Sequence, residues 1–127
     1  MATERRKARR RDSAYYISVM DAVTDRLFGV MTDIGPKGFK LERREAIPDG
    51  QLRHFRIDVT NDIAPQSSLA FTARSKWCRP DTVDPSTYAI GFELVNMTPE
   101  VTRVFQRMFE KYGSKSSYTE DNSYLWK

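Results

Sequence analysis

Leu27-Phe28-Gly29-Val30-Met31-Thr32-Asp33-Ile34-Gly35-Pro36-Lys37-Gly38-Phe39-Lys40-Leu41 is the stretch on which the architecture turns. Two short apolar runs flank Asp33-Ile34-Gly35-Pro36-Lys37-Gly38. Runs of this length, broken by Gly and Pro, read as strand, tight turn, strand. The first strand, Leu27 to Thr32, is apolar on both faces, as a central strand would be. The turn carries one carboxylate, Asp33, at its entrance. Its two glycines let a ligand approach the backbone closely.

The pattern continues on both sides. Ala14 to Thr24 has an imperfect period of two, with Tyr15, Ile17, Val19 and Val23 on one side, and Asp25-Arg26 is then the turn. Phe39 to Arg44 is a short third strand, and Ile47-Pro48-Asp49-Gly50 is a strong turn signal. In Leu52 to Thr60, Phe55, Ile57 and Val59 alternate with Arg56, Asp58 and Thr60. Leu69, Phe71, Ala73 and Trp77 line one face of a fifth strand, with Arg74 and Lys76 opposite. Arg79 to Ser86 reads as a loop. Tyr88, Ile90, Phe92 and Leu94 give the cleanest alternation in the chain, with Gly91 between them. Six short strands at hairpin-like spacing predict a small antiparallel barrel or sandwich, an all-β fold.

One helix closes the pattern. Thr98 can cap it, Pro99 suits its first position and Glu100 suits the positive end of its dipole. Val101, Val104, Phe105, Met108, Phe109 and Tyr112 make one apolar stripe, and Gly113 is placed to stop the helix. Residues 114–127 are polar until Tyr124-Leu125-Trp126, which reads as a frayed end or as a small apolar hook for this barrel or a partner. The expected organisation is a basic arm at 1–13, a barrel with its helix at 14–113 and a polar tail at 114–127.

With 127 residues the chain suits one core. Its 39% hydrophobic and 30% charged residues fit a folded domain rather than a disordered one. No apolar run approaches a membrane span, and the basic start lacks the apolar segment of a secretory signal. Cys78 is the only cysteine and His54 the only histidine, so an intrachain disulfide and a Cys/His zinc site are excluded. A reducing cytoplasm is the natural setting. His54 reads as an ordinary strand residue and Cys78 as a small packing residue. No base, nucleophile or metal constellation stands out, so the chain is not expected to be an enzyme or to carry a cofactor or metal.

Charge is unevenly placed. Arg5, Arg6, Lys7, Arg9, Arg10 and Arg11 supply six positive charges; setting them aside from the net +4 leaves −2 on the remainder. A domain gripping a nucleic-acid duplex usually spreads positive charge over its body, whereas here it is concentrated in a short arm. An anionic ligand held between that arm and the Asp33 turn is the central expectation.

The order of these features resembles the PilZ domain, the bacterial receptor module for the second messenger cyclic di-GMP. An R-x-x-x-R cluster (Arg5 with Arg9, or Arg6 with Arg10) comes first. After the first strand stands D-x-G-x-x-G, here Asp33, Gly35 and Gly38. Further strands follow, then a Trp-containing strand, the Tyr88-Ala89-Ile90-Gly91-Phe92-Glu93-Leu94 strand and a Thr98-Pro99-Glu100 helix. The resemblance covers nearly the whole folded part. Gly35 departs from the family pattern, which has serine there, and so removes a hydroxyl that can bond the ligand. The resemblance implies a six-stranded antiparallel PilZ-like β-barrel with a C-terminal helix. It also implies a cyclic di-GMP receptor that reorders its N-terminal arm and signals to a partner protein.

The chemistry agrees with that implication. An arginine fork bonds bidentately to a phosphate or to the O6/N7 edge of guanine, which lysine cannot reproduce. A carboxylate such as Asp33 complements the donor edge of the same base. Arg5, Arg6, Arg9, Arg10, Asp33, Gly35 and Gly38 are therefore the expected ligand residues, with Arg6 and Arg10 the preferred pair and Arg11 and Lys37 secondary phosphate contacts. Two rivals stand beside this reading: a PilZ-like adaptor that binds no nucleotide, favoured by Gly35, and a nucleic-acid-binding barrel with a basic arm.

Overall fold

The structure, a computed structural model, describes residues 17–112. The expected arm, polar tail and Gly113 helix stop fall outside the described residues.

Six strands form one closed antiparallel barrel: β1 (Ile17–Asp21), β2 (Arg26–Ile34), β3 (Gly38–Arg43), β4 (Leu52–Asp58), β5 (Ser68–Pro80) and β6 (Tyr88–Val95). The order around the barrel is β1-β2-β3-β6-β5-β4, and β1 pairs with β4 to close it. The expected fold is therefore present. Closure removes the exposed edges that a six-stranded open sheet would leave.

Phenylalanines fill the interior. Phe39, Phe55 and Phe92 are fully buried, and Phe28 and Phe71 pack beside them. Phe39 stacks on Phe92 at 5.2 Å between centroids, and Phe55 meets Phe92 edge-on at the same distance. Such pairs contribute roughly 0.5–1.5 kcal/mol beyond their area.

The helix α1 (Pro99–Tyr112) closes one mouth. Thr98 caps it as expected, its Oγ1 accepting from the Val101 N–H at 3.2 Å. Val101, Val104, Phe105 and Met108 turn inward, and Phe105 lies 5.1 Å from Phe71. The β4–β5 loop is tied to the far end of α1 by Lys111 and Asp62, 2.5 Å apart.

Arginines line the other mouth. Arg43 and Arg53 stand at inward-facing positions, their guanidinium carbons 4.0 and 4.7 Å from the Phe28 ring centroid. Arg43 Nε donates to the Phe28 carbonyl at 2.9 Å, and Arg53 pairs with Asp21 at 3.1 Å. Burial raises the Asp21 carboxyl, but bonds from the Thr24 and Val23 N–H groups and the Arg53 charge outweigh it and leave the pKa below its ordinary value.

Several boundaries differ from the sequence reading. β1 stops at Asp21, not Thr24, because the Asp21 carboxylate accepts from the Val23 and Thr24 N–H groups at 2.8 and 3.1 Å and bends the chain there. Val23, expected on the apolar side, is 78% exposed in that turn. β2 begins at Arg26 and continues through Ile34, so Asp33 and Ile34 belong to the strand rather than the turn. Ile34 is drawn in by the core, pairing with Phe39 at 1% exposure. Gly38 likewise opens β3, which leaves Gly35–Lys37 as the connection, closed by the Gly35 N–H donating to the Gly38 carbonyl at 2.8 Å. β5 runs on to Pro80, through residues read as loop.

Gly29 sits where β2 presses on β3: an added Cβ would stand 2.7 Å from the Glu42 carbonyl oxygen and 2.8 Å from Leu41 Cδ1. Gly29→Ala should therefore destabilise the barrel by about 1–3 kcal/mol, the usual cost of overpacking, read as a lower urea midpoint with an unchanged slope. A second expectation concerns acid. Hydrogen bonds from Lys111 and then Thr60 hold the Asp62 carboxyl down at about 2, against 3.8 for a free aspartate. The folded pKa lies below the unfolded one, so this contribution is complete above pH ~4 and is lost as pH falls towards 2. The pH dependence of thermal unfolding should flatten in that window in Asp62→Asn.

Candidate functional site

Two strand irregularities build the site. In β2 the pairing register with β3 steps from Met31↔Leu41 to Asp33↔Lys40, so Thr32 is an extra residue. In β5 the pairing with β6 steps from Ser75↔Phe92 to Trp77↔Gly91, so Lys76 is extra. A bulge of this kind reverses which face the following side chains take.

The consequences are specific. Met31 faces the core, and an unbroken alternation would send Asp33 inward as well. The bulge at Thr32 sends it outward, opposite Lys40. Trp77 shares odd parity with Leu69, Phe71 and Ala73, and the sequence reading placed it on their face. The bulge at Lys76 corrects that: Trp77 is opposite Gly91 on the outside of the barrel, while Cys78, opposite Ile90, packs on the core. Lys76 itself is held by Glu93 at 3.3 Å.

Asp33 pairs with Lys40, Lys40 with Gly91, and Gly91 with Trp77. Thus one outward row crosses β2, β3, β6 and β5. It spans three strand spacings, about 14 Å. A carboxylate stands at one end, an indole at the other, and an ammonium and a bare backbone lie between. Arg79 reinforces the aromatic end, its guanidinium carbon 4.7 Å from the Trp77 ring. Asp33 is 5% and Trp77 9% exposed. Asp33 Oδ1 accepts from the Ile34 N–H at 3.1 Å.

Of the expected residues, Asp33, Gly35, Lys37 and Gly38 lie together at the β2–β3 hairpin beside this row. Lys37 is exposed, and its carbonyl accepts from the Leu94 N–H at 2.9 Å, joining the hairpin to β6. Arg5, Arg6, Arg9, Arg10 and Arg11 fall outside the described residues. Lys40 and Trp77 were not among the expected site residues. A single lysine in an alternating strand carries no distinguishing signal, and Trp77 reads as core until the register step is known. The Trp77 and Gly91 strands could have been paired from sequence, but the bulge between them could not.

No family model matches the sequence, and no curated protein matches it. Among solved structures, the PilZ domain of YcgR from Escherichia coli, described with cyclic di-GMP, superposes with a TM-score of 0.51. The alignment covers 87% of this chain and 93% of that one at 16% identity. The barrel has the PilZ fold. At that identity the similarity extends to the PilZ architecture, a six-stranded barrel with its C-terminal helix, while the composition of the outward row is this chain's own. No described helix is long and apolar enough to cross a membrane.

Deleting Lys76 removes the extra residue and should return Trp77 towards the crowded interior. In a Trp126→Phe background, which leaves Trp77 as the sole tryptophan, the deletion should lower the melting temperature and shift the emission maximum. Unchanged emission would show that the bulge does not set the orientation of Trp77.

Proposed function

We propose that the chain is a cyclic di-GMP receptor and that the dinucleotide lies across the Asp33–Lys40–Gly91–Trp77 row. The observation that carries this reading is the pair of bulges that turn an acid and an indole onto one outer face, about 14 Å apart. The PilZ fold supports it, because the YcgR domain of that fold is described with the same ligand.

Each residue then has a chemical task. Asp33 accepts from the N1–H and N2–H₂ edge of one guanine. Arg6 and Arg10, with Arg5 and Arg9 as the overlapping pair, present forks to the other edge and to the phosphates. Lys40, Arg11 and Lys37 add charge to the phosphates. Trp77, backed by Arg79, offers a ring on which a purine stacks. Gly35, Gly38 and Gly91 let the ligand approach the backbone. Gly35 provides no hydroxyl, so the ligand has one bond fewer than serine would allow. Binding orders the arm, and the altered face is what a partner protein reads in the cytoplasm. The role is recognition, without a catalytic step, cofactor, membrane or nucleic acid.

The adaptor reading rests on Gly35 alone. Asp33 together with the retained arginines Arg5, Arg6, Arg9 and Arg10 favours the receptor.

Calorimetry with cyclic di-GMP should show binding at micromolar strength or tighter. Arg6→Ala, Arg10→Ala, Asp33→Ala and Trp77→Ala should each weaken it by roughly 1–3 kcal/mol. Binding should also weaken with added salt, because its contacts are charge-assisted, and change Trp77 emission, because a purine stacks on that ring. Absence of binding in the intact chain would leave the adaptor. Binding of single-stranded RNA or DNA in its place would favour the nucleic-acid reading.

A further inference from the structure

Away from the proposed ligand face, a groove of about 280 Å³ opens between the end of β4, the following loop and the last turns of α1. Its floor is apolar, formed by Ile17, Val59, Ile63, Met108 and Tyr112, with Asp58 and Thr60 on the rim. Ile63 and Met108 are buried, but Ile17, Val59 and Tyr112 are only half-buried and complete the core from outside. Apolar side chains left in this state gain from a further apolar cover.

We propose that the groove is the docking site of Tyr124-Leu125-Trp126 from the same chain. Tyr112, the last described residue of α1, forms one wall. Residues 113–123 then supply a tether of eleven residues, long enough to reach ~36 Å if extended. So short a link presents the hook at an effective concentration on the order of millimolar, so that a weak apolar contact suffices. Within residues 113–127 the hook is the one contiguous apolar cluster. An indole and a leucine match a floor of Ile, Val and Met, and Lys127 follows Trp126 where Asp58 offers an exposed carboxylate on the rim. Docking there seals the seam between the β4–β5 loop and the helix that closes the barrel, adding to the Lys111–Asp62 tie.

The test uses the full chain carrying Trp77→Phe, which leaves Trp126 as the sole tryptophan, excited selectively over the tyrosines. Its emission should be blue-shifted from that of free tryptophan, and acrylamide quenching should be several-fold weaker. Val59→Asp should abolish the protection. Val59→Ser, a milder change in a half-buried residue, should reduce it while circular dichroism stays constant. Quenching as fast as that of free tryptophan overturns the proposal. So does protection insensitive to both groove variants, which would place the hook elsewhere. Protection that disappears on dilution also overturns it, because the occupant would then be a second copy. None of these readouts depends on cyclic di-GMP, so failure here and failure of the receptor reading are separate outcomes.

Discussion

Alternation along a strand is the constraint on which this molecule depends. In a closed barrel every strand has one face inside, and the side chains there must be apolar and fit together. Phe39, Phe55 and Phe92 hold the register because slipping any of their strands by one residue would put a buried ring into water. Under that constraint a side chain of the wrong parity reaches the outer face only where the ladder gains a residue. For Asp33 and Trp77 those residues are Thr32 and Lys76, on two strands separated by β3 and β6. Their effects meet in one row because the pairings Asp33↔Lys40, Lys40↔Gly91 and Gly91↔Trp77 run straight across the sheet.

The rest of the surface is committed by the same packing. One mouth is stopped by α1, whose Phe105 extends the ring cluster outward. The other is occupied by Arg43 and Arg53, both over the Phe28 ring, with their charges met by Glu45 and Asp21. Ser75 is a polar residue that faces inward beside the β5 bulge. At 1% exposure, its hydroxyl donates to the Pro48 carbonyl at 2.7 Å and accepts from the Gln51 N–H at 2.9 Å. That bond pins the β3–β4 loop immediately before the β5 bulge, so the step in register has a fixed starting point. With both mouths filled, the outer face of β2, β3, β6 and β5 is where we propose that the ligand lies.

Much of this was legible in the chain itself. Period-two alternation in Phe55-Arg56-Ile57 and Ile90-Gly91-Phe92, the Thr98-Pro99 start and the three- and four-residue steps of α1 all follow from local rules that hold wherever the segment sits. Asp33 between an apolar run and a Gly-Pro turn was legible as a candidate for the same reason. Where the reading failed, it failed at places where a local rule competes with something distant. Val23 keeps the parity of a strand residue, but the Asp21 carboxylate captures the backbone first. Ile34 looks like part of a turn, but the pull of Phe39 extends the strand.

Trp77 marks the division most clearly. Local alternation assigned it to the core, and nothing within five residues on either side contradicts that. The assignment reverses because Ser75 must face Phe92 and Cys78 must face Ile90, which forces one residue out of the ladder between them. Composition and periodicity thus determined the strands, the helix and the identity of a solitary acid at a hairpin, since each depends on neighbours in sequence. Which way Asp33 and Trp77 point, and that Lys40 lies between them, was decided only when four strands were paired, because a register step is a property of two chains side by side and not of either one.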